Sequence, residues 1–313
     1  MRYNKLKKPQ SPHKIMNQEE IEKYKQAGLI AQQIRKFARS YIKPGMPIVE
    51  IAKTIQDKIE ELGAICAFPV NLSIDDLAAH FHPAPDDQTK ASGLLKVDIG
   101  ISIDGYIADT ALSLDLTEDN RHKEIIEATD LALNNAINLL KQDPTLHEIG
   151  DTIQKTIESK GFSAVTNLSG HSIERNNIHA GITVPNYGNN NENKLPPGVY
   201  AIEPFATTGE GTVYNGDSGH TYDITNKKNP RSPKAREIYN FVLKKYKTLP
   251  FSLRELQEKF GPMTKLALKE LENQDIIKEY AKLIEKSHKP VTQSEHTIII
   301  TDDREIIVTT REE

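Results

Sequence analysis

The chain is 313 residues long, 37% apolar and 27% charged, with a formal net charge of −4. Those values suit a globular protein with a sizeable core, one large domain or two ordinary ones, and carry no strong overall bias toward an acidic or basic partner. A single cysteine, Cys66, excludes an internal disulfide and favours an intracellular, cytoplasmic home; no apolar run approaches the ~20 residues of a membrane span, and MRYNKLKKPQSPHK lacks the apolar core of a secretory signal.

Arg2, Lys5, Lys7, Lys8 and Lys14 mark residues 1–17 as a basic flexible tail. Asn17 with Glu20 predicts a capping box that opens a helix from about Gln18 to Ile42. Its apolar stripe runs through Ile21, Tyr24, Ile30, Ile34, Phe37, Ala38 and Tyr41, and Pro44-Gly45 ends it. A second helix places Ile48, Ile51, Ile55, Ile59 and Leu62 on one face and stops at Gly63. AICAFPVNLSIDDLAA then reads as a strand and loop leading into His80-Phe81-His82-Pro83.

Leu94 to Leu116, LLKVDIGISIDGYIADTALSLDL, reads as two strands joined at Asp104-Gly105, a pair favoured in two-residue hairpin turns. That turn pairs Ile103 with Tyr106, Gly100 with Asp109 and Asp98 with Ala111. Asp98 and Asp109 become diagonal neighbours on one face, ~7–8 Å apart or less. Carboxylates that close repel unless a cation sits between them, and two-metal hydrolytic sites hold their ions ~3.5–4 Å apart. The competing reading is a pair of solvated strand aspartates. It weakens because both lie inside otherwise apolar strands, where an unpaired charge is costly.

The pattern then begins again. A long helix spans roughly Arg121 to Lys141, Asp143-Pro144 breaks it, and Thr145 with Glu148 caps another that stops at Gly161. IVEIAKTIQDKIEEL-Gly63 and LHEIGDTIQKTIESK-Gly161 share Glu, Ile, Thr, Ile, Gln, Ile, Glu and the final Gly at a constant offset. NLS recurs at Asn71 and Asn167, and Gly93-LLKV-Asp98 has its counterpart in Gly198-VYAI-Glu203. Two repeats are too few for a solenoid. They fit an α+β fold of two similar halves about a pseudo-twofold axis, with Asp98 and Glu203 facing each other across it.

YGNNNENKLPP, from Tyr187 to Pro197, is a polar loop. From about residue 226 to 290 the composition shifts. Helical stripes at Ile238–Tyr246, Leu253–Phe260 and Leu266–Ile276 predict a small three-helix insert. Between Lys227 and Lys289 stand 16 Lys/Arg against 8 Asp/Glu, so the insert carries about +8. Strands return at Thr297–Thr301 and Glu305–Thr310.

Asp98, Asp109, His171, Glu203 and Glu295 stand out as candidate metal ligands. Four carboxylates and one imidazole suit Mn²⁺, Fe²⁺ or Co²⁺, with Zn²⁺ also compatible; no cysteine among them argues against a structural zinc. Taken singly, each could be a solvated strand-end side chain. His80 in AAHFHP and His179 in NNIHAG are candidates to hold a substrate and stabilise an oxyanion. His82, His122, His147 and His288 read as ordinary core or surface histidines.

AAHFHP, KVDIG…DGYIADTA, NLSGHSIERNNIHAG, AIEPFATTGEG and EHTII together resemble the type II methionine aminopeptidases, over nearly everything after about Gln18. The resemblance implies the pita-bread fold, with residues 18–225 and 291–313 as the catalytic domain and 226–290 as a winged-helix-like helical insert. It implies removal of the initiator Met from nascent chains when the second residue is small. Lack of a long N-terminal extension is like the archaeal members. Two divalent metal ions (Co²⁺, Mn²⁺, Fe²⁺ or Zn²⁺) are implied as cofactors. Asp98 resembles the bidentate ligand of one metal, Asp109 and Glu295 the bridging carboxylates, and His171 and Glu203 complete the set. Glu203 is also the implied proton shuttle. His80 matches the histidine near the scissile nitrogen and His179 the one beside the carbonyl. Phe68, Ile178 and His220 fall where the methionine pocket is lined. His82 departs from the usual Thr, and Ser294 from the usual aromatic before Glu295.

Two other readings remain open: a pita-bread peptidase that cleaves before proline, and a non-catalytic pita-bread protein binding peptides or nucleic acid. The first usually carries a large extra N-terminal domain and lacks this insert; the second loses ligands that this chain keeps. Expected partners are peptides with an N-terminal Met and, through the basic tail and insert, the ribosome. The protein is expected to act as a monomer without a membrane.

Overall fold

A computed structural model describes residues 16–312; the basic tail expected at the N-terminus lies almost wholly outside them. The first half opens with helices α1 (Gln18–Tyr41) and α2 (Ile48–Glu61). Strands β1 (Ile65–Cys66), β2 (Asn71–Ile74), β3 (Leu77–Ala79), β4 (Leu94–Ile103) and β5 (Tyr106–Asp115) follow. The second half repeats the order with α3 (Lys123–Leu139), α4 (Leu146–Ser159), β6 (Ser163–Ala164), β7 (Ser169–Ile173), β8 (Thr183–Pro185), β9 (Gly198–Ile202) and β10 (Phe205–Thr207). Both predicted capping boxes, Asn17 with Glu20 and Thr145 with Glu148, are formed.

The repeat is structural as well as sequential. Ile51, Ile55 and Ile59 of α2 are fully buried beside Leu95, Val97 and Ile99 of β4, under the small-residue face of α1. Ile149, Ile153 and Ile157 of α4 are fully buried beside Tyr200 and Ile202 of β9, with α3 alongside. Each half thus lays one amphipathic helix pair on one antiparallel sheet. The first sheet has β4 at its centre, flanked by β5 on one side and by β1 and β2 on the other.

A long strand, β11 (Val213–Ile224), leads out to α5 (Pro233–Lys245), β12 (Phe251–Ser252), α6 (Leu253–Phe260) and α7 (Thr264–Asn273). The three expected helical stripes fall on these three helices. The remainder of that stretch is not helical: β13 (Ile277–Glu285) returns antiparallel to β11 and pairs with β3 of the first half. The chain closes with β14 (Val291–Gln293), β15 (His296–Ile300) and β16 (Ile306–Val308). β15 enters the second sheet, ordered β16-β15-β9-β7-β8, and β14 pairs with β10.

The halves meet at β5 and β15. Thr110 Oγ1 donates to the Glu295 carbonyl at 2.8 Å, and the Glu295 amide donates to Ala111 O at 3.2 Å. Arg35, buried on α1, caps this seam: its Nη1 donates to Thr110 Oγ1 at 2.6 Å and to Ala111 O at 2.7 Å.

Candidate metal centre

The β4–β5 hairpin has the register read from its turn: Ile103 opposite Tyr106, Gly100 opposite Asp109 and Asp98 opposite Ala111. Asp104 and Gly105 both carry positive φ, at 54° and 91°, as a type I′ turn requires. Asp98 and Asp109 therefore share one face. On the other half, His171 of β7 pairs with Ala201 of β9. Gly170 before it lets the strands close, since a Cβ there would lie 2.2 Å from Ala201 O. His296 pairs with Ile202, so Glu295 and Glu203 are the next positions beyond that rung.

These residues converge. His171 Nε2 lies 3.6 Å from Asp109 Oδ2 and 3.7 Å from Glu203 Oε1. One ligand atom each from Asp109, His171 and Glu295 fall within 4.8 Å of one another. Asp109 and Glu295 are buried, and Asp98, His171 and Glu203 keep one side toward a cavity of about 610 Å³ whose wall all five help to form.

Electrostatics show a site short of positive charge. Burial pushes Asp98 up to about 7. Burial, then the charge of Asp98, holds Asp109 well above its ordinary value. Glu203 and Glu295 are raised well above theirs by burial first and then by Asp109 and each other's neighbours. Burial drives His171 down to about 3, leaving a neutral imidazole able to offer a lone pair. Asp98 Oδ1, Asp109 Oδ1, His171 Nδ1 and Glu295 Oε2 are buried without a hydrogen-bond partner. Four mutually repelling carboxylates and one neutral imidazole, with orphaned oxygens turned inward, are the donor set a hard or borderline divalent cation takes.

Phe68, His80, Ile178 and His179 line the same cavity. The His179 ring meets His171 edge-on, centroids 4.5 Å apart, and His80 meets Tyr280 edge-on at 5.3 Å. Burial pushes His80 down to about 4; His179, accessible from the cavity but walled by protein, is likewise lowered by desolvation. Both are neutral at physiological pH. His220 is not on the cavity wall: its Nδ1 stands 3.1 Å from His82 O, behind the His80 loop. β11 carries register breaks between Asn215 and Thr221, around this residue.

Two residues at the site were not singled out from the sequence. Gln293, buried on β14, donates from Nε2 to Glu203 Oε2 at 3.4 Å and lies close enough to Asp98 to favour its charged form. It joins the acidic residues that the repeat aligns. The signal available was its place two residues before Glu295. Tyr280 lies on β13, which reads from sequence as part of the insert.

Residues 22–214 match metallopeptidase family M24. The methionine aminopeptidase of Pyrococcus abyssi is 42% identical over 297 residues, spanning 93% of this chain and 99% of that one. Among solved structures, a thermophilic Arx1 superposes with a TM-score of 0.81 at 20% identity, covering 94% of this chain and 91% of that chain. The methionine aminopeptidase of Thermotoga maritima does so with a TM-score of 0.69 at 22% identity, covering 96% and 99%. The two structures share the pita-bread fold; the sequence identity over nearly the whole of both chains places this protein among the methionine aminopeptidases of metallopeptidase family M24.

Proposed function

We propose that this protein is a metal-dependent aminopeptidase that removes the N-terminal methionine of nascent chains when the second residue is small. Asp98, Asp109, His171, Glu203 and Glu295 hold its divalent metal ions. The observation that carries this assignment is the buried cluster of unpaired carboxylates at the wall of a cavity large enough for a side chain and the peptide bond beyond it. Divalent metal held there would supply Lewis acidity toward water and the scissile carbonyl.

The chain's own residues do the rest. Phe68 and Ile178, both buried, give the cavity an apolar wall for the methionine side chain. His179 and His80, neutral and on the same wall, donate hydrogen bonds to the carbonyl oxygen and near the scissile nitrogen respectively. Glu203, on the cavity wall beside His171, takes the proton released by the attacking water and passes it to the leaving amine. Gln293 Nε2 holds that carboxylate in position. Hydrolysis of Met-Ala-Ser against Ala-Pro-Ala, with and without Mn²⁺ or Co²⁺, tests the assignment. Metal-dependent cleavage of the first alone is expected. Preference for the second would mark a proline-directed peptidase, and cleavage of neither a binding protein.

We also infer that the enzyme works in the cytoplasm, as a monomer, close to the ribosome. No helix among the described residues is long and apolar enough to cross a membrane. The excess of Lys and Arg between Lys227 and Lys289 suits sequence-independent, salt-sensitive contact with RNA phosphates. Co-sedimentation with ribosomes at low salt that fades as salt rises is expected, for the full chain and more weakly for one starting near Gln18. No co-sedimentation at low salt ends the idea.

A further inference from the structure

His80 has φ of +63°, a left-handed backbone that its surroundings must hold in place. Two residues on, His82 is 1% exposed and hydrogen-bonded on every side. Its Nδ1 lies 2.8 Å from Val70 O; a carbonyl only accepts, so Nδ1 carries the proton. Nε2 is then an acceptor, and Arg254 Nε donates to it at 3.2 Å. The His82 amide donates to Gly219 O at 3.1 Å, and its carbonyl faces His220 Nδ1 at 3.1 Å.

Arg254 comes from the insert. It sits in the first turn of α6, is 2% exposed, and is the largest fully buried side chain among the described residues. Besides His82 it donates from Nη2 to Gln56 Oε1 on α2 at 2.6 Å, and from Nη1 to Glu258 Oε1 at 3.1 Å. Glu258 is half exposed. A guanidinium buried this deeply needs its donors satisfied, and two of its three side-chain partners, His82 and Gln56, belong to the catalytic half.

We propose that His82 and Arg254 are a positioning pair, through which the insert holds the His80 loop against the substrate site. His82 touches no ligand of the metal centre and acts through His80. Threonine, usual at this place in the family, has no ring nitrogen with which to accept from Arg254. The inference rests on the placement of His80 beside the substrate.

Four variants of the full chain, loaded with Mn²⁺, test it with Met-Ala-Ser as substrate. His82→Gln keeps an acceptor near the Nε2 position and loses the donor to Val70. His82→Asn keeps the donor and loses the acceptor. Arg254→Met removes the cation at similar volume, and the fourth combines His82→Asn with Arg254→Met. His82→Gln is expected within about threefold of wild type, while His82→Asn and Arg254→Met each lower kcat roughly tenfold with KM within about twofold. The double variant is expected to be no worse than the worse single, since both remove one interaction. Metal content should stay at the wild-type level throughout. Additive losses, equal damage from Gln and Asn at position 82, a change confined to KM, or a lowered Tm with normal kcat would each overturn the proposal. Should Arg254→Met not fold, the Gln and Asn comparison decides alone. His80→Ala separates this from the reading beneath it: if that variant turns over normally, the placement of His80 fails, whatever His82 does.

Discussion

The Thr297 hydroxyl receives the Asp109 amide hydrogen at 2.7 Å and gives its own to the Asp109 carbonyl at 2.8 Å. One fully buried side chain thus stitches β15 to β5 at the residue that supplies a central carboxylate. Thr297→Val keeps the shape and removes both bonds. It leaves a buried N–H and C=O unpaired, a cost of about 1–3 kcal/mol each. Because the seam sets Asp109 against Glu295, Mn²⁺ affinity should fall roughly 10- to 100-fold. Calorimetric titration with Mn²⁺ and a thermal melt check both. A lowered Tm with unchanged affinity would show that the seam supports the fold and not the ligands.

Glu295→Ala should lose metal and activity together, because its carboxylate lies within the ligand cluster. His80→Ala should keep its metal and lose most of its turnover. Elemental analysis of the purified proteins distinguishes the two. Equal metal stoichiometry in wild type and Glu295→Ala would sink the ligand assignment.

The metal-free protein should become less stable as pH rises above about 7.5, where unfolded histidines are neutral. Asp98, Asp109, Glu203 and Glu295 are all raised in the folded chain by burial. In that window the folded state binds more protons than the unfolded, so stability falls with pH. His80, His82 and His171 are pushed down to about 4, 3 and 3 by burial and work in the opposite direction. Their contribution, shared by His179 and His296, is half complete at about 6.5, where the unfolded imidazole titrates, and is over by about 7.5. Lys96, pushed down to about 7 by burial, opposes the carboxylates with a single group. Saturating Mn²⁺, which replaces the protons, should flatten the slope. Scanning calorimetry in chelator and in Mn²⁺ reads both; a chelated protein whose Tm does not fall over this window would mean the carboxylates are not electrostatically frustrated.

The proposed function requires a small residue after the methionine. Met-Gly, Met-Ala and Met-Ser peptides should be cleaved well, Met-Lys and Met-Leu poorly. Comparable rates across the five would show that the pocket beyond the methionine has diverged.

What could be read from the sequence was what neighbouring residues determine. Asp104-Gly105 pins its hairpin because the turn geometry fixes every rung beyond it, and Asp98 and Asp109 followed. The isoleucine stripes of α2 and α4 were equally plain, with a four-residue spacing and full burial. The face of α1 was less so. Ile30 and Phe37 are only half-buried, while Ala27, Gly28 and Ala31 are buried, and the missing side chain of Gly28 lets the helix lie against Thr309. Arg35 escaped notice for a related reason: a cation in an apolar stripe is explained only by carbonyls from residues far along the chain. β13 was unreadable because Lys278, Glu279 and Lys282 suit a helix as well, and only pairing with β11 and β3 makes it a strand. His220 packs against the His82 carbonyl through a long-range contact that composition does not announce.

The proposed ligands are scattered along the chain: Asp98 and Asp109 share one hairpin, while His171, Glu203 and Glu295 arrive on three further segments. No short piece of this protein can grip a metal, so the ion cannot act as a nucleus for folding in the way zinc does for a small finger. The hairpin can close early, on a timescale of about 1–10 μs, but it then brings together two acids that have nothing to bind. Long-range closure of β15 onto both halves must come first, and distant strand pairs of this kind carry the largest loop-closure cost. Metal uptake is therefore a late event on an already folded scaffold, and ions can exchange without the protein coming apart.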